Sequence, residues 1–223
     1  MLALNQWKAP ELKVLDGKYC TLEPLEEKHY ADLHRVRCVP DESTRYQYLL
    51  NCPPLDWELF KIYMDKLRTT TDRIAYAVID KASGTAEGLQ CFLNINPTYG
   101  SIEIGGILWG PNIARSRITT EAFYLCSVYA LDELHYRRYE WKCNNENNGS
   151  KNAAIRFGFQ FEGILRSNLI QNGRNRDTAY FSILDTEWPV IRDALKSWLD
   201  EENFDDQGRQ KTALSVQRKH LPL

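Results

Sequence analysis

Apolar positions recur along the chain with two different periods, and their order predicts a domain that mixes strands with helices. Helical spacing of apolar residues marks the segments 27–37, 55–68, 118–135 and 186–201. A shorter helix is predicted from about Ser150 to Phe157, closed by Gly158. Strands are predicted where short runs are rich in β-branched and aromatic residues, at 19–25, 73–80, 86–95, 99–110, 137–143, 159–170 and 176–184.

Two of the connections are specific. The segments between residues 73 and 110 follow one another across short SG and NP turns, which predicts a three-stranded antiparallel meander. Asn172-Gly173 predicts a tight hairpin between the last two strands. No linker or repeat interrupts this order, so we expect one domain over residues 1–201. Residues 202–223 are polar, and we expect a partly disordered tail or a peripheral arm there.

Composition removes several classes of function. The formal net charge of the 223 residues is -2, which gives no broad attraction for nucleic acid or for an anionic membrane, so neither is expected as a partner. The N-terminus lacks a signal-peptide pattern and no apolar run is long enough to span a bilayer, so a cytoplasmic protein is expected. Nucleophile-elbow, HExxH, P-loop and GxGxxG motifs are missing, and the four histidines are scattered, so no metal site is expected.

A basic turn stands where a helix is predicted to begin. In PNIARSRITT, Arg115 and Arg117 precede the apolar segment, although a cation near a helix N-terminus costs about 0.3–1 kcal/mol unless an anion is bound there. The free N–H groups of a helix start bind phosphate readily, so the turn is a candidate anion site. The alternative is that the arginines are solvated or paired with Glu121 and that the hydroxyls only cap the helix.

Four ordered stretches give this candidate a context. They are LDGKYCTLEPL, IEIGGILWGP through TTEA, RRYEWKCNNENNGSKNAAIRFGFQFEG and NGRNRDTAYFSILDTEWP. Over roughly residues 14 to 190 the chain resembles the GNAT superfamily of acetyl-CoA-dependent N-acyltransferases, in its Rim-type branch, which acetylates ribosomal-protein N-termini. The resemblance implies an α+β (α/β) GNAT fold with a mixed, mostly antiparallel central sheet flanked by helices.

The resemblance also implies a set of coenzyme-binding residues. A splayed strand ending at Ile107, Leu108 and Trp109 would hold the pantetheine arm, and Gly105-Gly106 is what a β-bulge would require. Asn147 with Ser150 would lie beside the thioester. The loop for the diphosphate would consist of Arg115, Ser116, Arg117, Ile118, Thr119 and Thr120. The superfamily usually has two glycines in this loop, at the positions of Arg115 and Arg117, so these arginines either clamp the phosphates or crowd them.

The implied reaction is direct attack of a neutral amine on acetyl-CoA, the co-substrate, within a ternary complex. Ser150 is the candidate that protonates the leaving thiolate and Asn147 would fix the coenzyme, the alternative being that either residue only caps a helix. Glu103 is a candidate base, although an exposed carboxylate serving solubility is the simpler interpretation. Arg174, Arg176 and Asp177 are expected to form an ion-pair group at the hairpin, the alternative being that these arginines recognise an acidic acceptor.

The resemblance indicates only the general class of the acetyl acceptor. A primary amine of a small molecule or of a protein N-terminus is expected, in a monomer or a homodimer. The alternative function is that of a protein of the same fold that binds an acyl-CoA or another ligand without catalysis, which the missing glycines and the unassigned base would suit.

Overall fold

A mixed sheet of eight strands runs through the computed structural model, which describes residues 7–38, 45–50, 52–214 and 216. Its strand order is β1-β2-β3-β4-β5-β6-β8-β7, and every neighbouring pair is antiparallel except β5 with β6. The strands are β1 Leu15–Asp16, β2 Cys20–Pro24, β3 Ile74–Asp80, β4 Thr85–Asn96, β5 Ser101–Trp109, β6 Arg138–Asn144, β7 Gln160–Gln171 and β8 Arg174–Leu184.

Five α-helices pack on this sheet within the described residues. Two short 3-10 turns, Glu27–His29 and Glu201–Asn203, and a π-helical turn, Val128–Glu133, complete the helical structure. The helices are α1 Tyr30–Arg37, α2 Trp57–Thr69, α3 Arg117–Ser127, α4 Asn148–Arg156 and α5 Trp188–Trp198. Among the described residues, no helix is both long enough and apolar enough to cross a membrane.

The parallel pair β5 and β6 diverges after three residues. The pairing covers Ser101 with Arg138, Ile102 with Tyr139 and Glu103 with Glu140, and then stops. The remaining part of β5 stays paired with β4, while the remaining part of β6 stays paired with β8. The sheet therefore opens between Ile104–Trp109 and Trp141–Asn144, at the carboxyl ends of both strands.

The two sides of this opening differ because side chains alternate along a strand. Ile102, Ile104, Trp141 and Cys143 point to the side where α3, α4 and α5 bury the larger apolar core, which we call the helix face. The opposite side of β5, β6 and β8 is the open face. At the end of β5, Leu108 joins a smaller apolar core beneath α1 and α2 on this side, whereas the other side chains beside the opening are polar. They are Glu103, Lys142, Asn144, Arg176, Thr178 and Tyr180.

The fold class expected from the sequence is confirmed, since the sheet is mixed, mostly antiparallel and flanked by helices. The meander is formed by β3, β4 and β5, and the hairpin turns at Asn172 and Gly173 with φ values of 51° and 73°. The predicted helix 118–135 is α3 followed by the π-helical turn, which ends at Glu133. The expected bulge is also present, because one extra β5 residue lies between Gly105 and Leu108, where Gly106 has a φ of 59°.

Candidate active site

One large cleft occupies the opening in the sheet. Its volume is about 1870 Å³, and it is lined from β5, β6 and β8, from the loop before α3, and from the chain after α5. Of the residues expected in the site, the cleft is lined by Glu103, Ile107, Leu108, Trp109, Arg115, Ser116, Arg117, Thr119, Asn147 and Ser150. Ile118 and Thr120 belong to the first turn of α3 and are not among the lining residues.

The hydroxyl groups at the start of α3 are used to build the helix. The Ser116 hydroxyl accepts a hydrogen bond from the Ile118 N–H at 3.1 Å, and it also donates to the Ile113 carbonyl at 2.6 Å. Thr119 and Thr120 both donate their hydroxyls to the Ser116 carbonyl, at 3.1 and 3.3 Å. The capping interpretation is therefore correct for Ser116, and these side-chain hydrogen bonds stabilise the helix start.

Arg115 takes the backbone conformation that a glycine would usually supply. Its φ is 61°, in the left-handed region, where a residue with a Cβ atom is disfavoured by about 1–2 kcal/mol. The loop therefore makes a left-handed turn that glycine adopts without a steric penalty, and Arg115 carries a charged side chain at that point beside the cleft.

Glu121 is not available to neutralise these arginines. The carboxylate is buried and accepts the backbone N–H groups of Lys18, Tyr19 and Cys20 at 2.8, 2.6 and 2.7 Å. This geometry ties the β1–β2 turn to α3, and Gly17 leaves the space for it, since an added Cβ would lie 2.6 Å from Glu121 Oε2. The sequence alternative in which Glu121 pairs with Arg115 or Arg117 is therefore wrong.

Arg117 instead lies against aromatic rings. Its guanidinium carbon is 4.2 Å from the centroid of the Tyr19 ring and 5.5 Å from that of Phe204. Such contacts stabilise an exposed cation by about 0.5–1 kcal/mol, and Arg117 itself is half-buried. Arg117 is thus held beside the start of α3 without a carboxylate partner among the described residues.

A further cation beside the cleft was missed by sequence reasoning. Arg156, in α4, donates from Nη1 to the Thr120 hydroxyl at 3.1 Å and lies 4.8 Å from the Trp198 ring centroid. Burial lowers the pKa of Arg156, as expected for a guanidinium that has no carboxylate partner among the described residues. No local motif marks Arg156, because α4 brings it to α3 only through the tertiary fold.

The chain beyond α5 also reaches this site. Phe204 is buried and packs edge-on against Trp198, with ring centroids 5.1 Å apart, while the Trp198 indole N–H donates to Gln210 Oε1 at 2.9 Å. Phe204, Gly208, Arg209 and Gln210 line the cleft. Residues 201–214 form a compact arm beside the start of α3, and residues 215 and 217–223 lie outside the described part of the chain.

Asn147 and Ser150 have different local roles. Asn147 is the N-cap of α4, since its Oδ1 accepts the Ser150 N–H at 2.9 Å. The cap alternative is correct for Asn147, whose side chain also lines the cleft. Ser150 Oγ accepts the Trp141 indole N–H at 3.0 Å. Burial raises the pKa of the Cys143 thiol, and a hydrogen bond from the Ser150 hydroxyl offsets part of that rise.

Glu103 is buried, so its interpretation as an exposed carboxylate serving solubility is wrong. It is 5% exposed because it lies on a central strand under a cluster of polar side chains. Glu103 Oε2 accepts from Asn94 Nδ2 at 2.6 Å and from Lys142 Nζ at 2.8 Å. Within the described residues Oε1 has no hydrogen-bond partner, and Glu103 faces the cleft.

Lys142 connects this carboxylate to a second one. Lys142 Nζ lies 2.8 Å from both Glu103 Oε2 and Glu140 Oε2. Burial alone would lower the pKa of Lys142, but the attraction of Glu103 and Glu140 outweighs it, and the pKa of the ammonium is raised. Lys142 therefore stays charged at neutral pH and neutralises the buried carboxylates.

The ion-pair group expected at the hairpin is absent from the described residues. Asp177 Oδ1 accepts the Ser167 N–H at 2.7 Å, and neither Arg174 nor Arg176 forms an ion pair with it.

Potential metal ligands are also dispersed. In residues 7–38, 45–50, 52–214 and 216, no group of three or more His, Cys, Asp or Glu side chains comes together to hold a metal ion.

Comparison with known proteins agrees with this geometry. The family described as an acetyltransferase (GNAT) domain matches residues 20–160. A crystal structure of a GCN5-related N-acetyltransferase from Brucella melitensis is 47% identical, with a TM-score of 0.92 over 94% of this chain and 96% of that one. A structure from Chromobacterium violaceum, titled as a probable GNAT-family acetyltransferase, is 38% identical, with a TM-score of 0.76 over 83% of this chain and 92% of that one.

A curated relative is more distant. YdaF from Bacillus subtilis (strain 168), provisionally named a ribosomal N-acetyltransferase, is 30% identical over 106 residues. These residues are 47% of this chain, and the match spans only 57% of the length of that relative.

Proposed function

Because the chain belongs to the GNAT acetyltransferase family, we propose that it transfers the acetyl group of acetyl-CoA to a primary amine by direct attack within a ternary complex. The amine belongs to a small molecule or to a protein N-terminus. The observation that carries the proposal is the opening between β5 and β6, with a cationic helix start on its helix face and a buried carboxylate on its open face.

Acetyl-CoA is the co-substrate of the acetyltransferases of this family, and the chain offers groups that fit its diphosphate. The first N–H groups of α3 have no partners within the helix, and a helix N-terminus favours a bound anion. Arg115 and Arg117 add cations that lack a carboxylate partner among the described residues. On this proposal the diphosphate offsets the unfavourable interaction of these cations with the helix dipole.

The pantetheine arm would follow the unpaired edge of β5. From Ile107 to Trp109 this strand faces the opening, and Gln90 holds its end in place by accepting the Trp109 indole N–H at 3.1 Å. Gln90 in turn donates to the Ala122 carbonyl at 2.9 Å, which ties β5 to α3. Backbone groups of Ile107, Leu108 and Trp109 would bind the amides of the arm, and a backbone N–H near Trp109 would stabilise the oxyanion.

Two side chains are assigned to proton transfer. Glu103 Oε1 is the proposed acceptor of the amine proton, directly or through water, because Oε2 is already occupied by Asn94 and Lys142. The Ser150 hydroxyl is the proposed donor to the departing thiolate, because its oxygen accepts from Trp141 and its O–H, which otherwise bonds the Cys143 thiol, can rotate to the thiolate. Asn147 positions Ser150 through the cap of α4.

Calorimetry followed by a thiol-release assay tests this proposal. Titration with acetyl-CoA is expected to show binding below the millimolar range, and a panel of primary amines is expected to include acceptors that release free coenzyme A thiol. Binding without turnover on any amine would favour a non-catalytic acyl-CoA-binding protein. A lack of heat at millimolar acetyl-CoA would reject both assignments.

A further inference from the structure

Arg176 is a buried cation on the open face of the sheet. It lies on β8, two residues before Thr178 and four before Tyr180, so the three side chains point the same way. Thr178 is paired with Asn144, and Tyr180 with Lys142, across β6 and β8. Arg176 therefore continues the polar row that begins at the pair of Glu103 and Lys142, and it lines the same cleft.

Among the described residues, the guanidinium of Arg176 has no partner that would offset its burial. The residue is 9% exposed, and within this part of the chain its Nε and Nη1 atoms are buried without any hydrogen-bond acceptor. The neighbouring carboxylate, Asp177, is bound to the Ser167 N–H, while Thr178 accepts from Asn168 at 3.1 Å. Burial lowers the pKa of Arg176 for the same reason.

A buried guanidinium without an acceptor destabilises the folded protein unless a ligand binds it. A buried donor left without an acceptor costs about 1–3 kcal/mol, and more when the donor is charged. Lys142, a half-buried cation of the same polar row, is matched by two carboxylates. An unmatched guanidinium that faces a cleft is therefore the expected form of a subsite for an anion.

We propose that Arg176 binds a carboxylate group carried by the amine acceptor, so that the preferred substrates are amines that also bear a carboxylate. This inference rests on the proposed acetyltransferase function and names the acceptor class for the same cleft. The coenzyme diphosphate is assigned to Arg115 and Arg117 at the start of α3, on the helix face, which leaves Arg176 for the second substrate.

The chemistry of the subsite selects a carboxylate. Arginine presents planar edges of paired N–H groups that match the two oxygens of a carboxylate, and each edge includes one of the unpartnered nitrogens. A single guanidinium balances a single negative charge, and the neighbours Asn144, Thr178 and Tyr180 are uncharged. A phosphate dianion would be left with an uncompensated charge.

The position of Arg176 also limits the shape of the acceptor. Tyr180, which pairs with Lys142, is four residues away along β8, a separation of about 13 Å between Cα atoms at the usual rise per residue. The carboxylate is therefore separated from the reacting amine by several bonds. A short peptide or an ω-amino acid fits this spacing better than an α-amino acid such as glycine.

Matched pairs of acceptors test the inference. The probes are glycine, β-alanine, 4-aminobutanoate, 6-aminohexanoate, glycylglycine and triglycine, each compared with its carboxamide in the thiol-release assay. In the unmodified protein, at least one longer carboxylate should exceed its carboxamide in kcat/KM by about tenfold or more. Equal values for every pair would overturn the inference.

Three variants identify the residue responsible. Arg176→Gln should remove the preference for the carboxylates and leave the carboxamides unchanged, while Arg176→Lys should restore part of it. Arg174→Gln is the matched control, because Arg174 is an exposed arginine on the same side of β8. Equal losses for both members of each pair in Arg176→Gln, or the same effect in Arg174→Gln, would also overturn the inference.

A binding measurement separates this inference from the proposed function. If no amine is acetylated, the same probe pairs are titrated by calorimetry into the protein saturated with coenzyme A. Carboxylate-selective binding that is lost in Arg176→Gln would support the subsite even though the proposed activity had failed. Binding without selectivity, or no binding of any probe, would reject the subsite.

The midpoint temperature of thermal unfolding provides a further check. For Arg176→Gln it is expected to equal or exceed that of the unmodified protein, because the substitution removes a buried charge that is not compensated.

Discussion

Arg117 on the helix face and Arg176 on the open face both lack a carboxylate partner in the part of the chain that the structure describes, but their surroundings differ. Arg117 is half-buried against the rings of Tyr19 and Phe204. Arg176 is nearly fully buried, and its nitrogens meet no acceptor among the described residues. The first arrangement suits a large, solvated anion such as a diphosphate, and the second suits a small anion that is enclosed.

The carboxylates divide in the same way. On the helix face, Glu121 is used entirely by three backbone N–H groups and serves the fold. On the open face, Glu103 lines the cleft with one oxygen occupied and the other without a hydrogen-bond partner among the described residues, which suits proton transfer. The number of hydrogen-bond partners at each oxygen or nitrogen, and not burial alone, therefore separates a structural charge from a functional one.

Removal of the open-face carboxylate should have the largest effect. Glu103→Gln is expected to lower kcat by about 100-fold or more, since general base catalysis contributes factors of this size. Acetyl-CoA affinity, measured by calorimetry, should remain within about twofold of the original value. The control is Glu140→Gln, which also touches Lys142 but pairs with Arg138 as well. A loss in Glu140→Gln as large as that in Glu103→Gln would show that the ion-pair cluster, and not the base, matters.

Removal of the helix-face cations should affect the coenzyme instead. The double variant Arg115→Gln/Arg117→Gln is expected to weaken acetyl-CoA binding by about tenfold to 100-fold, because each charge-assisted hydrogen bond to a phosphate is worth more than a neutral one. Calorimetric titration measures the change. Arg192→Gln, at an exposed arginine paired with Asp132 and Asp193, serves as the control. Unchanged or improved affinity in the double variant would mean that the arginines crowd the phosphates.

Ser150 lies between the two faces and should affect turnover more than binding. Ser150→Ala is expected to reduce kcat by about tenfold, with a smaller change in KM for acetyl-CoA, if its hydroxyl protonates the thiolate. The variant also removes the acceptor of the Trp141 indole N–H. Trp141→Phe removes the same hydrogen bond and keeps the hydroxyl, so equal losses in the two variants would assign Ser150 a structural role.

The smallest effect concerns the strained loop. Arg115→Gly should raise the free energy of unfolding by up to about 1 kcal/mol, because glycine adopts a φ of 61° without the steric penalty. Urea unfolding measures the change, and the same variant should bind acetyl-CoA more weakly through the lost charge. Arg174→Gly, at a strand position, is the control and should be destabilising. A less stable Arg115→Gly protein would contradict the assigned strain.

Local sequence patterns were sufficient to predict the elements that carry the site. The meander, the hairpin at Asn172-Gly173 and the bulge at Gly106 each follow from turn residues and side-chain periodicity, which act over a few residues. The start of α3 was likewise identifiable, since Ser116 is a usual N-cap residue. The cleft position of Arg115 and Ser150 followed from the ordered family stretches, and not from spacing alone.

Tertiary contacts decided the rest. The burial of Glu103 depends on Asn94 and Lys142, which come from different strands, so no local pattern could show it. The Glu121 carboxylate is occupied by backbone N–H groups of the β1–β2 turn, which lies about a hundred residues away in sequence. No local pattern therefore predicts that Glu121 does not pair with an arginine. Nε and Nη1 of Arg176 lack an acceptor because the tertiary fold brings none of the described residues to them, and no local sequence pattern predicts this.

Initial velocities of thiol release over a grid of acetyl-CoA and acceptor concentrations provide the most direct test of a cleft that holds both substrates at once, one on each face. A ternary complex predicts double-reciprocal lines that intersect, and an enzyme whose intact mass is unchanged after incubation with acetyl-CoA alone. Parallel lines together with a stably acetylated enzyme would contradict direct transfer between the two faces.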